Sequence, residues 1–139
     1  MFVFYEQDEA VARWVSDRID HVDDFGPCAA VGVMGSRMLA GVVFHDFKPI
    51  YRTMQVSVAA DSPYWARPHI IREILLIPFV HNDVFALYSI MKADDERTIR
   101  FNSRLGFRKP VIVGHMFGPG KHAVVTRMLK PDFERVANG

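Results

Sequence analysis

The chain has 139 residues, half of them hydrophobic and 12% aromatic, which is one domain's length with ample apolar material for a core and excludes a disordered chain. With 17 basic and 16 acidic residues the formal net charge is +1, so no general electrostatic attraction draws it to nucleic acid or to an anionic membrane. The single cysteine, Cys28, cannot form an internal disulfide and suits a reducing, cytoplasmic setting.

The N-terminal stretch "MFVFYEQDEAVARWV" lacks a basic region followed by an apolar run, so it does not read as a signal peptide. "FVFYE" (2–6) is a first strand. A helix is expected over 8–22, where Val11, Trp14, Val15, Ile19 and Val22 share one face and Asp8 and Glu9 favour its start. Residues 28–47 read as two strands turning at Gly35-Ser36-Arg37. In 51–60, Met54, Val56 and Val58 alternate with Gln55 and Ser57, the period of a strand. Pro68 is tolerated in the first turn of a helix striped by Ile70, Ile71, Ile74 and Leu75, and Pro78 should kink or end it. The segment 70–80 is too short to span a bilayer and carries Arg72 and Glu73. "VFALYSIMK" (84–92) is an apolar strand covered on both faces. "DDERTIRFNSRL" is a helix closed by Gly106, and 107–117 and 122–130 are two last strands. Phe2, Phe4, Trp14, Phe44, Phe79 and Phe85 occupy core positions of these elements. The order implies one α/β domain over 1–139, with a mixed, mostly antiparallel central sheet and helices on both faces.

The segment "DDERTIRFNSRLGFRK", placed after a buried strand and before two closing strands, resembles one found in the GNAT family of N-acetyltransferases. That family often has Asn-Glu-Arg-Ala-x-x-Phe-Tyr-x-x-Leu-Gly-Phe there. The matching residues are Asp95, Glu96, Arg97, Phe101, Leu105, Gly106 and Phe107. The resemblance implies acetyl-CoA as acyl donor and an amine as acceptor, either a small molecule or a protein. It implies that the fourth and fifth strands splay and that the backbone at Val56, Ser57 and Val58 binds the pantetheine arm. It also implies that the next helix start holds the pyrophosphate, where unpaired N–H groups attract anions. The family's glycine-rich loop is absent from "SPYWARPHIIRE" (62–73), and Pro68 removes one N–H donor. Phosphate contacts would then fall to Arg67, with His69 and Arg72 assisting. Asn102 stands where many members place a tyrosine that protonates the leaving thiolate. Asn can donate a hydrogen bond but is not a general acid at neutral pH. Facing the sheet beside Thr98, Phe101 and Leu105, it either serves the site or bonds a strand carbonyl where the strands splay. Tyr88 or Ser103 could take the tyrosine's place.

Removing a proton from an acceptor ammonium calls for a base with a pKa near 7. His45, at the end of "VVFHDF", is the first choice, with Asp46 beside it, and Glu6 is the second. Gln55 and Ser57 line either an acceptor site or the polar face of a half-exposed strand. No metal is expected: His21, His45, His69, His81, His115 and His122 contain no i, i+4 helical pair, and there is no cysteine cluster. "GPGK" (118–121) lacks the spacing of a phosphate loop and reads as a turn. The expected activity is acetyl transfer by direct attack of the amine in a ternary complex. The alternative is a catalytically inactive binding or assembly module of the same fold, of a kind that some phage-associated proteins resemble. Neither nucleic acid nor membrane is an expected partner, and strand edges at the C-terminal hairpin are compatible with a homodimer.

Overall fold

Residues 1–19, 22 and 24–138, which the computed structural model describes, form seven strands and four helices with their connections. In chain order they are β1 (Phe2–Phe4), α1 (Asp8–Ser16), β2 (Cys28–Met34), β3 (Met38–Lys48), β4 (Thr53–Ala60), α2 (Pro68–Leu76), β5 (Ala86–Lys92), α3 (Glu96–Arg104), β6 (Arg108–Val113), β7 (Ala123–Leu129) and α4 (Lys130–Asn138). The strands form one sheet in the order β1-β2-β3-β4-β5-β7-β6. Its single parallel seam joins β4 to β5, and α2 supplies the crossover that such a seam needs. The other seams are antiparallel, so the mixed, mostly antiparallel sheet expected from the sequence is present.

Strand alternation sorts the core into two layers. Val42, Phe44 and Val56 face one side and pack against the Ile70, Ile71, Ile74 and Leu75 stripe of α2. Val43 and Ala59 face the other side, against Val11 and Val15 of α1. Helices therefore cover both faces. No helix among the described residues is long and apolar enough to cross a membrane.

Several boundaries differ from expectation for local reasons. The helix expected over 8–22 ends at Ser16, where the Val15 carbonyl accepts from both Arg18 and Ile19, at 3.0 and 3.2 Å, in a tightened last turn. Of its expected remainder, Asp20 and His21 lie outside the described residues. α2 stops at Leu76, and the chain continues as a wide turn over Ile77–His81, because Pro78 has no N–H to extend the ladder. The C-terminal helix α4 was not expected. The Asp132 carboxylate accepts the Leu129 N–H at 2.9 Å and pairs with Arg135 one turn later. Of the aromatics assigned to the core, Phe44 and Phe79 are fully buried and Trp14 is partly buried. Phe2 and Phe4 are exposed because β1 is an edge strand, and Phe85 is exposed beneath the Arg52 guanidinium.

Candidate functional site

The β4–β5 ladder is short. It pairs Thr53 with Ala86 and ends at Val56 with Ser89. Yet β4 stays paired to β3 as far as Ala60, and β5 stays paired to β7 as far as Lys92. Beyond Val56 the facing edges of β4 and β5 part, and a cleft of about 210 Å³ opens between them. Val56, Ser57 and Val58 form one wall, with Ser89, Ile90 and Met91 on the other. Backbone N–H and C=O groups on strand edges that have parted are hydrogen-bonding groups in need of partners. The cleft is also lined by Arg18 from the α1 side and by Asn102 from the α3 side, so it passes through the sheet.

On the α3 side the wall is set by a well-defined helix. Asp95 caps its start: Oδ1 accepts the Thr98 N–H at 3.2 Å and Oδ2 accepts the Thr98 hydroxyl at 2.7 Å. Gly106, at φ +110°, ends it. The Phe107 N–H donates to the Asn102 carbonyl and the Gly106 N–H to the Ser103 carbonyl, a doubly bonded left-handed cap. This fixes the rotation of α3, so Thr98, Phe101, Asn102 and Leu105 all line the cleft. Asn102 is only 7% exposed, and its Oδ1 accepts the Thr126 hydroxyl of β7 at 2.7 Å. Ser89 lies directly across from Thr126 in the β5–β7 pair and is also buried. Asn102→Leu should therefore destabilise the fold by about 1–3 kcal/mol by leaving the Thr126 hydroxyl without its partner. Thr126→Val in that background should cost much less than Thr126→Val alone, as read by urea denaturation of the four proteins in the cycle.

On the α1 side a row of residues crosses the sheet through paired positions: Cys28, His45, Gln55, Tyr88 and Arg127. His45 is 6% exposed and packs against the Phe25 ring, centroids 4.9 Å apart. Its Nε2 lies 2.9 Å from Ser57 Oγ, and its Nδ1 lies 3.5 Å from the Asp46 carboxylate. Burial pushes the His45 pKa below its ordinary value, and Asp46 opposes that push in part. Farther along, the Asp61 carboxylate at the end of β4 binds Arg18 Nε at 2.9 Å and Arg37 at 3.1 Å. Those arginines, Arg18 first, hold the Asp61 carboxyl below the usual range. The Arg18 guanidinium stacks 3.5 Å above the Trp14 ring. This cluster ties the end of α1 to the far end of β4 and shapes that mouth of the cleft.

Of the residues singled out in the sequence, Val56, Ser57, Val58 and Asn102 line the cleft. His45 reaches it through Ser57. Arg67, His69 and Arg72 stand exposed at the first turns of α2, whose neighbours Trp65 and Ile71 line the cleft. Tyr88 is 36% exposed, shares the α1-side row with Gln55, and is outside the cleft lining. Glu6 and Ser103 are exposed and also outside that lining. Thr126, Ser89, Arg18 and Asp61 went unread. The available signal was a lone polar residue inside each apolar strand, Ser89 in "LYSIM" and Thr126 in "VVTRM".

No family model and no curated protein matches this sequence. Solved structures do. A spermidine N-acetyltransferase from Vibrio cholerae superposes with a TM-score of 0.74 at 9% identity, covering 96% of this chain and 97% of that one. An acetyltransferase from T. thermophilus superposes with a TM-score of 0.67 at 15% identity, over 81% of this chain and 64% of that one. A ribosomal-protein alanine acetyltransferase from Vibrio fischeri gives a TM-score of 0.62 at 13% identity, over 76% and 63%. The chain thus spans less than two thirds of the T. thermophilus and V. fischeri proteins, and 62% of a further acetyltransferase that it resembles. The parted β4 and β5, the helices on both faces and these superpositions together show that the chain has the acetyltransferase fold.

Proposed function

We propose that the protein is an acetyl-CoA-dependent N-acetyltransferase of the GNAT type that transfers the acetyl group directly to an amine. The observation that carries this reading is the cleft between β4 and β5, walled by Val56, Ser57 and Val58 in the fold shared with the acetyltransferases. The residues present suit such a donor. The free edge of β4 offers backbone groups to the amide-bearing pantetheine arm, and a backbone N–H there would polarise the thioester carbonyl. Arg67 at the N-cap of α2, with His69 and Arg72 in its first two turns, would hold the phosphates, which the helix's positive end also favours. Asn102, on the cleft wall, would donate its amide N–H to the pantetheine or the sulfur. The acceptor would enter from the α1 side, past the row holding His45, Gln55 and Tyr88. An amine substrate fits that direction, with His45, linked to the cleft by Ser57, as the final holder of its proton.

The test is calorimetric and thermal-shift titration with acetyl-CoA. Binding should stabilise the fold by about 2.7 kcal/mol at a hundredfold excess over Kd, and Arg67→Ala should weaken it by several-fold. Release of the CoA thiol would then be followed with spermidine, an alanine-terminated peptide and a lysine-containing peptide. No stabilisation at millimolar acetyl-CoA sinks the enzyme reading and leaves a binding or assembly module. Unchanged affinity in Arg67→Ala would mean that the phosphates lie elsewhere.

A further inference from the structure

We infer that Asp46, His45 and Ser57 form a proton relay in which the Ser57 hydroxyl, not the imidazole, meets the acceptor amine. This rests on the acetyltransferase reading and goes further by naming the contacting group. His45 is buried beneath the sheet face, under Phe25, so an acceptor in the cleft has no direct path to its ring. Ser57 lines the cleft and holds His45 Nε2 at 2.9 Å. It sits on the β4 edge just past the last β4–β5 pair, where the strands part.

Asp46 lies on the other side of the imidazole. Successive residues of a regular strand point to opposite faces, so Asp46 should face away from His45. It does not, because β3 carries a bulge between His45 and Lys48 and Asp46 sits at φ +52°. A left-handed conformation is uncommon outside glycine, although Asp tolerates it better than most residues. The bulge turns the Asp46 carboxylate back to His45 Nδ1, at 3.5 Å. Bulges of this kind re-aim side chains beside active sites. A carboxylate at Nδ1 favours the tautomer with Nδ1 protonated, which leaves the Nε2 lone pair to accept the Ser57 O–H. Desolvation by burial keeps the imidazole neutral and ready to take a proton. Among the described residues, the other titratable group facing it is Cys28, its cross-strand partner, whose thiol is pushed up first by burial and then by Asp8 and Asp24. It is therefore no competing source of charge at neutral pH.

An acceptor ammonium gives one N–H proton to Ser57 Oγ as the Ser57 hydroxyl proton passes to His45 Nε2. The freed amine lone pair forms the C–N bond to the thioester carbonyl carbon, and the C–S bond breaks. The second amine proton goes to the departing thiolate, and His45 later returns its proton to solvent.

The test combines imidazole nitrogen NMR on the free protein with thiol-release kinetics on the best acceptor of the amine panel. The wild type should show His45 as the Nδ1–H tautomer. Ser57→Ala should lower kcat/KM by about 100-fold while acetyl-CoA affinity holds, because the backbone of Ser57 is retained. Ser57→Thr, which keeps the hydroxyl, should restore most of the rate. Below pH 6.5, the ordinary histidine value, the wild-type rate should persist and then fall as His45 protonates. Asp46→Asn removes a group that raises the His45 pKa, so that limb should move to lower pH and the rate should drop. An Nε2–H tautomer overturns the relay whatever the rates. So does a Ser57→Ala protein as active as wild type, or one that is slow with its acid limb unmoved in Asp46→Asn. A wild type that binds acetyl-CoA and acetylates none of the amines overturns the underlying reading, and the relay with it.

Discussion

Phe79→Ala should destabilise the protein by about 3–5 kcal/mol, enough to remove a large part of a small domain's stability. Phe79 is fully buried in the wide turn after α2, and its ring stacks on Phe133 of α4, centroids 5.0 Å apart and planes 14° from parallel. Truncation loses the transfer free energy of the ring and leaves a cavity under a helix that has few other anchors in the core. Phe133→Ala should also destabilise, but in the Phe79→Ala background it should cost less, with a coupling of about 0.5–1.5 kcal/mol from the stacked pair. Urea denaturation of the four proteins reads both numbers. Additive effects would mean that α4 is held by contacts other than this stack.

Gly41→Val should cost about 3 kcal/mol, and Gly41→Ala somewhat less, through overpacking rather than through backbone conformation. Gly41 lies on β3, facing α1. A Cβ there would come within 2.5 Å of Val15 Cγ2 and 3.2 Å of Trp14. Val15 has no exposed surface and no room to retreat, so α1 would have to lift from the sheet. Because α1 carries Trp14, on whose ring Arg18 just past the helix end stacks, the lift would also disturb the Arg18–Asp61 pair at the cleft mouth. Gly114→Ala is the control, since its nearest neighbour, His122 Nδ1, would be at 3.7 Å. It should leave the melting temperature within a degree or so of wild type. Equal losses at both positions would refute the packing argument.

The elements most easily read from the sequence were those with punctuation. α3 announces itself through Asp95 at its start and Gly106 after its end, and β4 through the alternation of Met54, Val56 and Val58. α4 was not read because it follows β7 without a break. Its best signals were Pro131 in a first turn and Phe133 with Val136 on one side. At the site, Asn102 was recognised as a polar residue facing the sheet, but its partner Thr126 was not. That contact depends on β7 inserting between β5 and β6, an order that spacing does not reveal. The Asp46–His45 contact was hidden for a different reason. It depends on one residue of extra backbone in a strand that otherwise looks regular.

The early end of the β4–β5 ladder bears on how the site would respond to a ligand. Each wall is braced on its outer side, β4 by β3 and β5 by β7, for several residues beyond the point where the two separate. Folding alone therefore sets the width of the notch, and closing it would mean breaking ladder bonds on one of those outer seams. The conformational entropy of shaping the walls is lost when the chain folds. An occupant would meet a rigid slot, with little further loss of freedom in these two strands on binding.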